Sequence, residues 1–183
     1  MKKIWTFLAE GFEEVEALTV VDILKRAKFE VTMVSISEDL FVTSSHNVVV
    51  KADKKISELE SELPDVIFLP GGMPGTLNLG EHEGLKDLIL KAMEQDKIMA
   101  AVCAAPSVYG QMGLLKGRKA TCYPGFEDKL LGAEYQAEQV VVDGKFVTSQ
   151  GMGTCIPLGL KLVELLSSEE TAVQVKNSIR YMN

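Results

Sequence analysis

The residue best suited to covalent chemistry is Cys103, in Lys97-Ile-Met-Ala-Ala-Val-Cys-Ala-Ala-Pro-Ser107. An apolar strand runs into the thiol and a helix start follows, so the sulfur faces the first free N–H groups of that helix. Partial positive charge at such a terminus favours thiolate over thiol, and the thiolate is the nucleophilic and oxidisable form. Ala100, Ala101, Ala104 and Ala105 surround the sulfur with minimal side chains, as a tight turn open to a small substrate requires. Pro106 suits a first helical turn, where its missing N–H costs nothing. The competing reading is a packed cysteine, because cysteine is among the most buried residue types.

Glu16 is the second unusual residue. On the helix expected after the first strand, Glu16, Val20, Ile23 and Ala27 fall along one apolar stripe. Glu13 and Glu14 suit a helix first turn, but Glu16 shares the face that should bury. Burial raises a carboxyl pKa, and a protonated Glu can donate a hydrogen bond to a thiolate. The alternative is a boundary glutamate that reaches water. Gly71 and Gly72 follow a strand ending at Leu69-Pro70, where backbone N–H groups can approach a developing oxyanion, or simply make a tight turn. A base is harder to find. His46 falls in an expected hairpin and His82 at the start of a surface helix, both more in keeping with solvated histidines. Cys122 and Cys155 read as packed, although Cys155 opens a helix.

The elements that must position these residues alternate. Residues 3–9, 29–36, 65–69 and 98–102 read as strands, the last two short and buried. Helical patterns cover about 14–27, 83–95, 105–113 and 155–166. Such alternation predicts an α/β fold with a mostly parallel sheet covered on both faces. Residues 41–51 and 139–149 read as β-hairpins, the second turning at Asp143-Gly144. In open parallel sheets, sites form beyond the carboxyl ends of the strands. The loop Glu10-Gly-Phe-Glu13, the segment 70–75 and the Cys103 turn should therefore meet. No G-x-G-x-x-G follows the first strand and no Walker-type lysine occurs, so no dinucleotide or other cofactor is expected.

At 183 residues, one domain spanning 1–183 is the simplest organisation. The net charge of −7 argues against a nucleic-acid groove or a polybasic membrane patch. No stretch approaches the roughly 18 apolar residues of a membrane span. The apolar N-terminal run stops at Glu10 and reads as a strand rather than a signal peptide. Three cysteines with no metal-site spacing point to free thiols, no metal and a reducing cytoplasm.

Four motifs occur in order across the chain: Glu13-Glu-Val-Glu16, Leu69-Pro-Gly-Gly72, Ala100-Ala-Val-Cys-Ala-Ala-Pro106 and Thr148-Ser-Gln-Gly-Met-Gly-Thr154. Together they resemble the ThiJ/PfpI family, in the branch that includes Parkinson disease protein seven and its bacterial relatives. The resemblance implies a flavodoxin-like three-layer sandwich and a homodimer. It assigns Cys103 to the family's reactive cysteine at a nucleophile elbow and Glu16 to the acid that hydrogen-bonds it. Gly72 and Ala104 fall where relatives present N–H groups to an anion, with Gly71 beside them.

Departures from the family pattern narrow the chemistry. Tyr123 stands where many active relatives have histidine, and tyrosine, with an ordinary pKa near 10, is a poor base at neutral pH. His46 and Gln150 stand where relatives often carry arginine, so an anion pocket there is less positive. A Cys–His peptidase is disfavoured for want of the histidine. The resemblance implies a cytoplasmic stress-response protein with an oxidisable Cys103, acting on a small aldehyde or a peroxide. Glyoxalase or deglycase chemistry on methylglyoxal-type dicarbonyls is one expectation; a redox sensor or chaperone without turnover is the other. A role in thiazole monophosphate biosynthesis has no support in the residues.

Overall fold

Alternation of apolar residues along the strands builds two cores, one on each face of a central sheet. The computed structural model describes residues 1–182. In chain order the elements are β1 (Lys3–Leu8), α1 (Glu14–Arg26), β2 (Glu30–Ser35), β3 (Phe41–Thr43), β4 (Val49–Lys51), β5 (Lys54–Lys55) and β6 (Val66–Leu69). There follow α2 (Gly75–Glu81), α3 (Glu83–Glu94), β7 (Ile98–Val102), α4 (Pro106–Gln111), β8 (Lys119–Ala120) and β9 (Glu134–Tyr135). The chain continues through β10 (Val140–Asp143), β11 (Phe146–Ser149), α5 (Cys155–Leu166) and α6 (Glu169–Ser178).

Seven strands form one sheet in the order β10-β11-β7-β6-β1-β2-β5, parallel except for the edge strand β10. Trp5, Phe7, Ile67, Leu69, Met99 and Ala101 point to the face covered by α2, α3 and α4. Their neighbours Ile4, Val66, Phe68, Ala100 and Val102 point to the face covered by α1 and α5. This is the period-2 signature of strands buried on both sides, and it produces the mostly parallel α/β sandwich that the alternation predicts, flavodoxin-like as the resemblance implies. Burying a large apolar side chain contributes roughly 1.5–3 kcal/mol, so the paired cores hold the sheet edge rigidly beneath the loops.

The helices start where local chemistry allows. Glu13 caps α1 by accepting the Glu16 N–H at 2.6 Å, and Ser168 caps α6 by accepting the Thr171 N–H at 3.2 Å. His82 caps α3 through Nδ1, which accepts the Leu85 N–H at 3.1 Å. That histidine therefore has a structural task. The 139–149 hairpin forms as expected, with Asp143 opposite Phe146, so Gly144 and Lys145 make the turn. The 41–51 hairpin pairs β3 with β4 outside the main sheet and leans on the loop after β1, where Gly11 N donates to Thr43 O at 2.8 Å. Helices α2 and α6 are not expected from the sequence pattern, and the Cys103 helix is shorter than 105–113, ending at Gln111.

Candidate active site

The carboxyl ends of β1, β6, β7 and β11 lie side by side, and the loops leaving them converge on one sulfur. Strand β7 ends at Val102, and Cys103 turns the chain with φ at +64°, an uncommon conformation for a residue with a Cβ. Its N–H donates to Ser149 O at 3.0 Å and its carbonyl accepts the Tyr123 N–H at 2.8 Å. The turn is thus clamped on both sides by backbone, and the side chain packs against the core on the α1–α5 face of the sheet.

Glu16 reaches the same point from the first turn of α1. The residue is 2% exposed, and its Oε2 accepts the Gly71 N–H at 2.9 Å while the carboxyl group hydrogen-bonds the Cys103 thiol. Gly71 can have no side chain here. A Cβ would stand 2.6 Å from both Cys103 Cβ and Glu16 Oε2. Gly72 turns with φ at +93°, a left-handed conformation that glycine adopts without penalty. The N–H groups of Ala104 and Gly72 face the Cys103 sulfur. Gly71, expected as an anion donor, instead spends its N–H on Glu16; this corrects its assignment, because one N–H cannot serve both acceptors.

The electrostatics set burial against the helix terminus. Burial pushes Glu16 up to about 7, with the charge of Glu13 adding to the rise and the hydrogen bonds from Cys103, Gly71 and Met152 opposing it. Burial likewise pushes the Cys103 thiol up to about 12, followed by the charge and the hydrogen bond of Glu16. The Ala104 and Gly72 amides pull it down but do not prevail. Helix α4, only six residues long, is too small to outweigh desolvation. The Glu16 carboxyl and the Cys103 thiol thus form a buried, hydrogen-bonded pair of acids, each held above its ordinary pKa by burial.

The auxiliary residues divide. The Tyr123 ring lies over Gly151, its edge 3.3 Å from where a side chain there would begin, and Tyr123 is 51% exposed. Tyr123 reaches Cys103 through its backbone N–H. His46 is held at the surface, with Nδ1 3.1 Å from Glu14 and 4.0 Å from Glu13. Hydrogen bonding to Glu14 raises its pKa. The imidazole is committed to these carboxylates rather than to the sulfur, which corrects its place as a candidate auxiliary. Gln150 follows β11 beside Gly151, half-buried. Glu13, Glu14 and His46 are the one group of potential metal ligands within mutual reach among the described residues.

A second layer of residues carries no individual signal in the sequence. Ser149 and Thr154 bond through their hydroxyls at 2.6 Å, and Thr154 Oγ1 also accepts the Gly151 N–H at 3.0 Å. This fixes the turn whose Met152 N–H supports Glu16. Both residues belong to the 148–154 motif, the one signal that points to them.

The profile described as the DJ-1/PfpI family matches residues 2–165. The Parkinson disease protein 7 homolog of Danio rerio is 33% identical over 179 residues, covering 96% of this chain and 95% of that protein. The deglycase PfpI of Pyrococcus furiosus is 32% identical over 167 residues, covering 90% and 99%. The Protein DJ-1 homolog B of Arabidopsis thaliana is 37% identical, but the chain spans only 41% of its length. Among solved structures, oxidised Toxoplasma gondii DJ-1 superposes with a TM-score of 0.96 at 37% identity, covering 100% of both chains.

Proposed function

The chain belongs to the DJ-1/PfpI family, and on that premise we propose that it is a cytoplasmic stress-response protein whose Cys103 captures small electrophiles, with Glu16 moving the proton. The observation that carries this reading is a buried carboxyl hydrogen-bonded to the one thiol whose sulfur faces two backbone N–H groups. Peroxide is the electrophile that needs least from the site. Cys103 Sγ attacks one peroxide oxygen and its proton passes to Glu16. The O–O bond breaks, and the departing oxygen takes the proton as water, leaving a sulfenic acid. A second equivalent gives the sulfinic acid. No histidine is required. Among the described residues no helix is long and apolar enough to cross a membrane. The partners we assign are a small aldehyde or a peroxide, and a second copy of the chain.

Similarity to a deglycase favours a second reading, turnover of methylglyoxal-type dicarbonyls. Here Cys103 Sγ bonds to the aldehyde carbon, and the carbonyl oxygen, held by the Ala104 and Gly72 N–H groups, takes the proton from Glu16. Glu16 then removes the C–H proton and returns one to the adjacent carbon, giving a thioester that water cleaves to lactate. Only Glu16 is available to activate that water, because Tyr123 replaces the family histidine, so this turnover is slow. Mass spectrometry of Cys103 after mild peroxide, run beside a methylglyoxal-to-lactate assay, tests both. Oxidation at Cys103 with slow turnover is expected. Oxidation of Cys122 or Cys155 ahead of Cys103 would overturn the first reading, and lactate formation that survives Cys103→Ser would overturn the second.

A further inference from the structure

The mechanism leaves one nucleophilic group beside the site unused. Cys155 opens α5, is fully buried, and donates its thiol to Gly151 O at 3.4 Å. Gly151 in turn borders the Glu16 carboxyl: a Cβ on it would lie 3.9 Å from Oε1, whereas Oε2 is the oxygen near Cys103. The two thiols thus flank one carboxyl group. Burial raises the Cys155 pKa, and the charges of Glu16, Glu13 and Cys103 add to the rise. Cys103 packs against the same core that holds Cys155, on the α1–α5 face of the sheet. Cys122 belongs to the core on the opposite face. One of the two remaining cysteines therefore shares Cys103's side of the sheet.

We infer that Cys155 is the resolving thiol for oxidised Cys103, closing an intramolecular Cys103–Cys155 disulfide when peroxide is the oxidant. The inference rests on peroxide oxidation of Cys103 as proposed above. Cys155 Sγ attacks the sulfur of the Cys103 sulfenic acid, an S–S bond forms and the S–O bond breaks. The leaving hydroxyl takes the Cys155 proton through Glu16 and departs as water. Two thiols and one hydrogen peroxide become one disulfide and two waters. A resolving thiol poised next to a sulfenic acid is the arrangement that prevents further oxidation. Closure requires the Cys155 thiol to leave Gly151 O and the Met152–Thr154 turn to shift toward Cys103. The outer side of that turn is free, with Met152 exposed and nothing within 4 Å of a Cβ on Gly153, while Tyr123 and the Glu16 carboxyl, which border Gly151, must give way. The bridge would make oxidation of Cys103 reversible by small thiols.

The test is a peptide map of the full chain after a small molar excess of hydrogen peroxide, quenched with iodoacetamide in denaturant and digested with trypsin without reductant. The three cysteines fall on separate peptides, 98–116, 120–129 and 146–161. The expected product joins the first and third, lacks two hydrogens and is lost on adding dithiothreitol. Cys155→Ser and Cys155→Ala should lose the linked peptide and accumulate Cys103 sulfinic acid, while Cys122→Ser should change nothing. Wild-type chain with Cys103 as sulfinic acid and Cys155 alkylated would overturn this inference alone. A link to Cys122 or between two chains would do the same. Cys103 left unoxidised would overturn the reading of function beneath it. The wild-type map decides the matter even where a variant folds poorly.

Discussion

Two strand-to-helix turns border the Glu16 carboxyl, and they treat their cysteines differently. The Cys103 turn forces a positive φ, leaves the sulfur partly exposed and turns two backbone N–H groups toward it. The Cys155 turn buries its sulfur completely and engages it as a donor to Gly151 O. Burial raises the pKa of both thiols, so acidity does not separate them. What separates them is access and the amides that receive charge when the sulfur or a bound oxygen becomes anionic. Reactivity here is a property of the turn rather than of the thiol.

The largest expected effect breaks that comparison outright. Cys103→Ser should abolish rapid iodoacetamide labelling of the native chain and any dicarbonyl turnover, whereas Cys155→Ser should leave labelling intact. Labelling that persists in Cys103→Ser would make the Cys155 turn the reactive one.

Glu16→Gln should stabilise the fold at high pH while crippling the site. A carboxyl raised to about 7 in the folded chain binds its proton more tightly than in the unfolded chain, so folding loses stability as pH rises from about 4.5 through 7. Removing the charge should recover on the order of 3 kcal/mol at pH 8 and nothing near pH 4. Urea unfolding of both proteins at the two pH values checks this. Gly71→Ala should cost roughly 1–3 kcal/mol by overpacking and should separate Glu16 from Cys103, which urea unfolding and labelling rate read together. His46→Ala should have the smallest effect, changing the Cys103 labelling rate by no more than about twofold, because its exposed contacts are with Glu14 and Glu13.

Much of this architecture was legible in the sequence because periodicity and punctuation agree. Cys155–Leu166 is a helix with the bounds its pattern suggests, and the apolar run from residue 98 to 102 is the strand that delivers Cys103. Helix α2 was hidden because it follows Pro74 and contains Gly75 and Gly80, with no long apolar stripe. Helix α6 was hidden because Ala172 and Val175 alone are its buried residues. At the site, the placement of Glu16 on the apolar face of α1 was readable, but the burial around the thiol was not. A helix start suggests acidity, and only the packing brings in the desolvation that opposes it. Nor could sequence tell which glycine N–H faces the sulfur and which faces Glu16, since that depends on the turn at Gly72.

The central claim, that Cys103 and Glu16 react as a unit, is tested most directly by the pH profile of Cys103 alkylation in wild type and Glu16→Gln. The pair gains its reactive one-proton form as Glu16 loses its proton, so wild-type labelling should rise through about pH 7 and then level off. Glu16→Gln should lack that rise and label roughly 100-fold more slowly at pH 7.5, its buried thiol having no proton acceptor. Superimposable profiles for the two proteins would contradict the account.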